Sequence, residues 1–197
     1  MDKAYIVGQL KEIASLYNVK IGEEILSEVV NLSVFKIASK GEVLRCIGEE
    51  TKTAGLIING MTRNYYIDGD GNDITQGFAI EGYACMDEGF FGYDKSIWVC
   101  EALEETTIML FDVQKMKALI NSSDKLRKIY MAFSESTIKY KIYRENGFII
   151  ENASERYLHF KKLYPKVCDR ATQQYIATYL GIAPESLSRI RKSLKKW

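Results

Sequence analysis

The residues with the clearest chemical pattern lie near the C-terminus. The stretch Thr172-Gln173-Gln174-Tyr175-Ile176-Ala177-Thr178-Tyr179-Leu180-Gly181-Ile182-Ala183-Pro184-Glu185-Ser186-Leu187-Ser188-Arg189-Ile190-Arg191 reads as two short helices about a tight turn. Thr172 caps the first helix. Ile176, Ala177 and Leu180 face inward from it, and the small Ala177 lets a second helix cross closely. Gly181 supplies the positive φ of the turn. Pro184 opens the second helix, where its missing N–H costs little. Leu187 and Ile190 then point to the core, which leaves Glu185, Ser186, Ser188 and Arg189 outward with Lys192 behind them. Two short helices joined by such a turn form a helix-turn-helix, and the exposed start of the second helix is the part that enters a DNA major groove.

Charge points the same way. From Ser154 onward ten Lys and Arg residues stand against Glu155, Asp169 and Glu185, a net of +7, so the preceding residues carry −6 of the overall +1. A basic module on an acidic body implies a polyanionic partner for the tail. Other site chemistries lack their residues. Cys46, Cys85, Cys100 and Cys168 are far apart with no C-x-x-C spacing, so they read as free thiols rather than zinc, iron–sulfur or thioredoxin sites. His159 is the single histidine. It cannot furnish the two or more His ligands of a cupin-type metal enzyme. We expect no metal, no catalytic residues and no enzyme activity.

These groups must be positioned by a chain of 197 residues, 47% hydrophobic and 27% charged, which is enough for one domain or two small ones. No apolar run approaches the roughly 18 residues of a membrane span. The start, Met1-Asp2-Lys3-Ala4-Tyr5, has no basic head before an apolar core, so the expected location is the cytoplasm. Ile6, Leu10, Ile13 and Tyr17 recur on one helical face, and Glu23 to Val30 suggests a second short helix. From Phe35 to Phe111 short apolar or alternating runs are separated by turn residues, the pattern of a β-sandwich or barrel. Within it Asp68-Gly69-Asp70-Gly71-Asn72-Asp73 reads as a hairpin turn, because it lacks the Glu that a calcium loop carries near its twelfth position. Val113 to Ile120 reads as a short helix. A long one follows from Ser122-Ser123-Asp124, free of Pro and Gly as far as Asn146. Leu126, Ile129, Phe133, Tyr140 and Tyr143 fall at a and d positions along it, the seam of a helix that packs on a partner helix.

In this order the pieces resemble the Crp/Fnr family of bacterial transcription regulators. The most specific match is Gln174 to Ile190, supported by Gly41-Glu42-Val43-Leu44, Leu56-Ile57-Ile58-Asn59-Gly60 and Lys95-Ser96-Ile97-Trp98. The resemblance implies an α+β chain. A cyclic-nucleotide-binding-like jelly-roll, or double-stranded β-helix, spans residues 1–121. A dimerisation helix spans 122–148 and a helix-turn-helix DNA-binding domain 149–197. It implies that Glu185 accepts from a cytosine amino group and that Arg189 bonds both O6 and N7 of a guanine. Ser186 lies between them, Thr172 and Gln173 match positions that touch the DNA backbone, and Lys192 and Lys195 are further phosphate contacts. Pro184 replaces another base-reading Arg of well-studied members, so the recognised sequence should differ there.

The family's nucleotide binders use a Gly-Glu pair and an Arg-Ser pair around the cyclic phosphate. Here Tyr83-Ala84-Cys85-Met86-Asp87-Glu88-Gly89 lacks Gly-Glu, and Lys95-Ser96 stands for Arg-Ser. Lys loses the guanidinium fork, and Asp87 and Glu88 add negative charge. Cyclic AMP is therefore not the expected effector. Arg63, Tyr65, Tyr83, Lys95, Ser96 and Trp98 are candidate lining for an unidentified small-molecule effector. The expected function is a dimeric, sequence-specific DNA-binding transcription regulator. Its expected partners are double-stranded DNA and a second copy, with RNA polymerase as a further candidate and no membrane. The alternative is a sensing module of the same β-roll type that acts through protein partners without reading DNA sequence.

Overall fold

The computed structural model describes residues 2–194, apart from the side chain of Leu16. Helices α1 (Lys3–Leu16) and α2 (Glu23–Asn31) precede eight strands: β1 (Ser33–Ala38), β2 (Val43–Arg45), β3 (Thr53–Asn59), β4 (Met61–Ile67), β5 (Asp73–Ile80), β6 (Ala84–Cys85), β7 (Val99–Ala102) and β8 (Thr106–Asp112). A 3₁₀ turn spans Glu88–Phe91. Helices α3 (Val113–Ser122), α4 (Asp124–Ile150), α5 (Ala153–Leu163), α6 (Pro165–Arg170), α7 (Gln173–Leu180) and α8 (Pro184–Leu194) follow.

The strands form two four-stranded sheets, ordered β1-β8-β3-β6 and β2-β7-β4-β5. Strand β8 lies between two antiparallel neighbours, with Ile108 opposite Lys36 on β1 and Ile57 on β3. Both of its faces are covered, which explains its unbroken Ile108-Met109-Leu110-Phe111 run. Ile108 joins Ile57, Cys85 and Cys100 in the core of the roll. Met109 joins Ile58 on the opposite face, against Ile6, Leu10 and Ala14 of α1, Leu26 and Val29 of α2, Met116 of α3 and Leu126 of α4. Each such fully buried side chain contributes about 1.5–3 kcal/mol of apolar transfer free energy. The α+β architecture expected from the sequence is the one observed.

Local signals set the boundaries. Asp2 caps α1 by accepting from the Ala4 amide at 3.0 Å, and Asp112 turns β8 into α3 by accepting from the Lys115 amide at 2.8 Å. Gly60, at φ 102°, turns β3 into β4, and a Cβ there would meet Thr106 Cα at 2.6 Å. The Asp68–Asp73 cluster is a hairpin turn between β4 and β5. Asp68 accepts from the amides of Asp70 and Asn72, each at 2.9 Å, and bonds from Asn72 hold its carboxyl below the usual range.

Helix α4 has 27 residues and is about 40 Å long at 1.5 Å per residue. It continues through Gly147, past the stretch free of Gly and Pro. By its contacts the chain forms two compact units. The first comprises Met1–Thr62 and Ala79–Thr137, and the second comprises Arg63–Phe78 and Ile138–Trp197.

Candidate nucleic-acid interface

In the second unit, Asn152 and Glu155 close a capping box at the start of α5. The Asn152 side chain accepts from the Ser154 and Glu155 amides at 2.9 and 3.1 Å, and Glu155 Oε2 accepts from the Asn152 amide at 2.9 Å. Tyr157 and Phe160 on α5, Val167 on α6, Ile176, Ala177, Tyr179 and Leu180 on α7, and Leu187 on α8 are all buried. Thr172 caps α7, its hydroxyl oxygen accepting from the Tyr175 amide at 3.3 Å. Gly181 ends α7 in the left-handed region at φ 67°, its amide bonded to Ala177 and Thr178 carbonyls. The Ile182 amide returns to the Ala177 carbonyl at 3.0 Å. A Cβ on Gly181 would lie 2.9 Å from the Phe148 ring.

Pro184 then opens α8 as its first residue. Leu187 is fully buried and Ile190 half-buried, so the opposite face looks out. Glu185, Arg189 and Lys192 are exposed on it, and Ser186 and Ser188 are half-buried. Residues four apart on a helix sit about 5–6 Å from one another at Cβ, so the Glu185 carboxylate and the Arg189 guanidinium flank a single turn. Thr172 and Gln173 are exposed at the start of α7. Behind the exposed face, Arg191 lies 6.0 Å from the Tyr157 ring, a contact between α8 and α5. Lys195 lies outside the described residues.

A brace on α7 was not foreseen from the sequence. Arg63 on β4 is 2% exposed. Its guanidinium lies 3.5 Å from the centre of the Tyr175 ring and 4.3 Å from that of Tyr65. Arg63 Nη2 donates to Asp73 Oδ2 at 2.7 Å and Nη1 to Thr75 Oγ1 at 3.3 Å. Thr178 Oγ1 accepts from the Thr75 amide at 3.2 Å and donates to Thr75 Oγ1 at 2.9 Å. The Phe78 ring packs on Phe160 and Tyr179 at 6.1 and 5.5 Å. The β4–β5 hairpin is thus tied to the first helix of the helix-turn-helix. Arg63 and Tyr65, expected to line an effector pocket, serve this brace.

The other pocket candidates are in the first unit and have separate surroundings. Ser96 is buried, with Oγ 2.5 Å from Glu88 Oε1 and 2.8 Å from the Trp98 carbonyl oxygen. Glu88 is fully buried. Arg45, also buried, donates from Nη1 to Glu88 Oε2 at 3.2 Å and to the Met86 carbonyl at 2.8 Å, and from Nη2 to the Thr53 carbonyl. Ser96, a candidate for lining an effector pocket, thus faces a carboxylate of its own chain. Lys95 and Tyr83 are exposed, and Trp98 is half-buried. The signal for this cluster was Glu88 itself, which the sequence showed only as an added negative charge.

The five seam residues of the long helix also have partners in their own chain. Leu126 and Ile129 pack into the helical core of the first unit, and the Phe133 ring meets Tyr17 edge-on at 6.3 Å. In the second unit Tyr140 meets Tyr164 at 5.5 Å and Tyr143 meets His159 at 5.6 Å. A different stripe of α4 faces out. Met131, Ile138, Ile142 and Ile149, spaced by seven, four and seven residues, are each more than half exposed. His159 Nδ1 is 2.8 Å from Glu151 Oε1. The four thiols are free, three of them buried. The neighbouring Cys100 thiol and burial push Cys85 well up, and burial raises Cys168, so both stay protonated and unreactive at neutral pH. Among the described residues no helix is long and apolar enough to cross a membrane.

No protein-family model matches the sequence, and no curated protein matches it either. Solved structures do. FixK2 from Bradyrhizobium japonicum superposes with a TM-score of 0.72 at 18% identity, over 83% of this chain and 85% of that one. The c-di-GMP-responsive global regulator CLP of Xanthomonas campestris gives 0.70 at 14% identity, over 89% and 92%. A double mutant of CooA from Carboxydothermus hydrogenoformans gives 0.69 at 18% identity, over 86% and 79%. The fold is therefore that of Crp/Fnr-type regulators, as the resemblance implied.

Proposed function

We propose that this chain is a transcription regulator of the Crp/Fnr type that binds double-stranded DNA in a sequence-specific manner as a homodimer. The observation that carries this reading is the exposed face of α8, with Glu185 and Arg189 one turn apart at the start of the second helix of a helix-turn-helix. An exposed carboxylate and an exposed guanidinium in that place suit a cytosine amino group and a guanine O6/N7 edge. Ser186 stands between them, Thr172 and Gln173 suit phosphates, and Lys192 and Lys195 add sequence-independent attraction. The net +7 of the tail supports the same partner. Among the fold neighbours, CLP is a global regulator linking cell–cell signalling to virulence gene expression, and DNR is a transcriptional regulator. The reading is non-enzymatic and places the protein in the cytoplasm, with RNA polymerase as a candidate further partner.

Dimerisation would use the outward stripe of Met131, Ile138, Ile142 and Ile149, whose seven- and four-residue spacing suits a helix seam. Two copies joined there would have to present their α8 helices about 34 Å apart, one turn of DNA. In this reading cyclic AMP is not the effector. Glu88 occupies Ser96 and would repel a cyclic phosphate.

The test is selection from a random DNA pool with purified protein and no added ligand. The expected product is a two-fold symmetric site. On that site Arg189→Ala should cost about 1–3 kcal/mol and relax one position, whereas Lys192→Ala should weaken all sequences alike and lower the salt slope by about one. Binding that only fades with salt, with no site recovered, would refute sequence-specific readout by the unliganded protein. An Arg189→Ala protein with unchanged preference would refute the groove assignment.

A further inference from the structure

The first unit contains a cavity of about 190 Å³ that none of the residues above explains. It is on the helical side of the β1-β8-β3-β6 sheet, outside the core of the roll. Its walls are Ala14 of α1 and Tyr17 just after it, Met109 of β8, and Ile129, Tyr130 and Phe133 of α4, completed by further apolar side chains. Asp87 is the one charged residue among the described lining. Ala14 and Met109 are almost wholly buried, so the space reaches the interior of the unit. A water needs two to four polar partners, and walls of this kind offer few. A cavity of about 150 Å³ lined by Leu, Ile and Phe stays dry and takes up benzene.

We propose that this cavity is a binding site for a neutral, apolar small molecule about as large as a substituted benzene. Size and lining set the class. Charged or strongly hydrated ligands would lose their water with no donor or acceptor array to replace it. A protein segment could place no more than about one aromatic side chain in this space. Four of the lining residues, Leu126, Ile129, Tyr130 and Phe133, belong to α4, so an occupant touches the residues of that helix that pack into the first unit. The site is distinct from the Ser96 region where a cyclic nucleotide would sit, and its occupancy does not rest on the DNA-binding reading.

Toluene is a suitable probe, added to the full chain without DNA. A saturable rise in melting temperature is expected, with none from benzoate, which has the same ring and a charge. Ala14→Phe places a ring in the cavity and should abolish the toluene effect while keeping a cooperative melt. Ile129→Trp fills it from the opposite wall if that variant does not fold. Crystals of the unmodified protein pressurised with xenon should show an atom between Ala14 and Phe133. An absent or non-saturable toluene effect, an equal effect in the folded filled variant, or a xenon-free cavity would each overturn the proposal. Loss of DNA selection with toluene binding intact would count against the regulator reading alone.

Discussion

Replacing Arg63 with Met tests whether the β4–β5 hairpin holds α7 in place. Met keeps much of the side-chain length and removes the charge, so the change isolates the ion pair and the ring contacts. Breaking a fully buried ion pair by removing one partner costs about 3–5 kcal/mol. Arg63 is buried, but the Asp73 side chain keeps 27% of its surface exposed. Water recovers part of the Asp73 charge, so the lower end, about 3 kcal/mol, is expected for the second unit. The contact with Tyr175 is separable. A guanidinium 3.5 Å from a ring centre is worth about 0.5–1 kcal/mol in water and about 2 when desolvated. Arg63 is buried and Tyr175 half-buried, which places their coupling at about 1–2 kcal/mol. Urea unfolding of the full chain, followed by circular dichroism for Arg63→Met, Tyr175→Leu and the double variant, gives that coupling directly. Affinity for the selected DNA site should fall in Arg63→Met although Glu185 and Arg189 are untouched. A coupling below about 0.5 kcal/mol, the usual scatter of additive sites, would show that the stacking does no work and refute the brace.

Gly181→Ala forces a side chain into a left-handed turn at φ 67° and against Phe148. The expected loss is about 1–2 kcal/mol, read as a lower urea midpoint at unchanged slope. Ile142→Lys should shift the protein from dimer to monomer in sedimentation with little loss of chain stability. Phe133→Lys, at a half-buried ring packed on Tyr17, should instead cost about 1–3 kcal/mol, and the reverse pattern would restore the inner seam as the dimer contact. Stability should fall at high pH. Cys85 and Cys168 have folded pKa values above the ordinary 9.0, so the folded state holds their protons more tightly. Their contribution is present below pH 9 and is lost as pH rises through the folded values. Cys85→Ala should flatten that alkaline decline, and melting curves recorded from pH 7 to 10.5 would reveal an unchanged slope if the thiol is not involved.

Short-range signals made much of this molecule legible before any coordinates. Gly181, Pro184 and the Thr172 cap specify the turn and both helices from neighbouring residues alone, and Asp68 to Asn72 close their own hairpin. What the sequence could not reveal depends on distant partners. Arg45 and Glu88 are 43 residues apart, and the Thr75–Thr178 contact spans 103, so neither leaves a periodic trace. Helix α4 is a subtler case. It carries two apolar stripes, and periodicity does not show which of them packs on its own chain. The heavier one, with Phe133, Tyr140 and Tyr143, reads as the partner seam, yet those rings meet residues of their own chain. The aliphatic stripe from Met131 to Ile149 is the exposed one.

The Glu88 cluster bears on what this β-roll can sense. A buried carboxylate is tolerated only if its charge is paired and its lone pairs are filled, since the bare desolvation cost is several kcal/mol. Arg45 and Ser96 meet that need on Oε2 and Oε1 respectively. The three residues therefore constrain one another. Changing Lys95 to the family's Arg would not restore a phosphate site, because Ser96 would still face Glu88 and the incoming anion would meet a carboxylate. Removing Glu88 would leave Arg45 buried and unpaired. The proposed reading puts no phosphate at Ser96, and the apolar cavity against α4 offers a neutral ligand a place that leaves the Arg45–Glu88–Ser96 cluster intact.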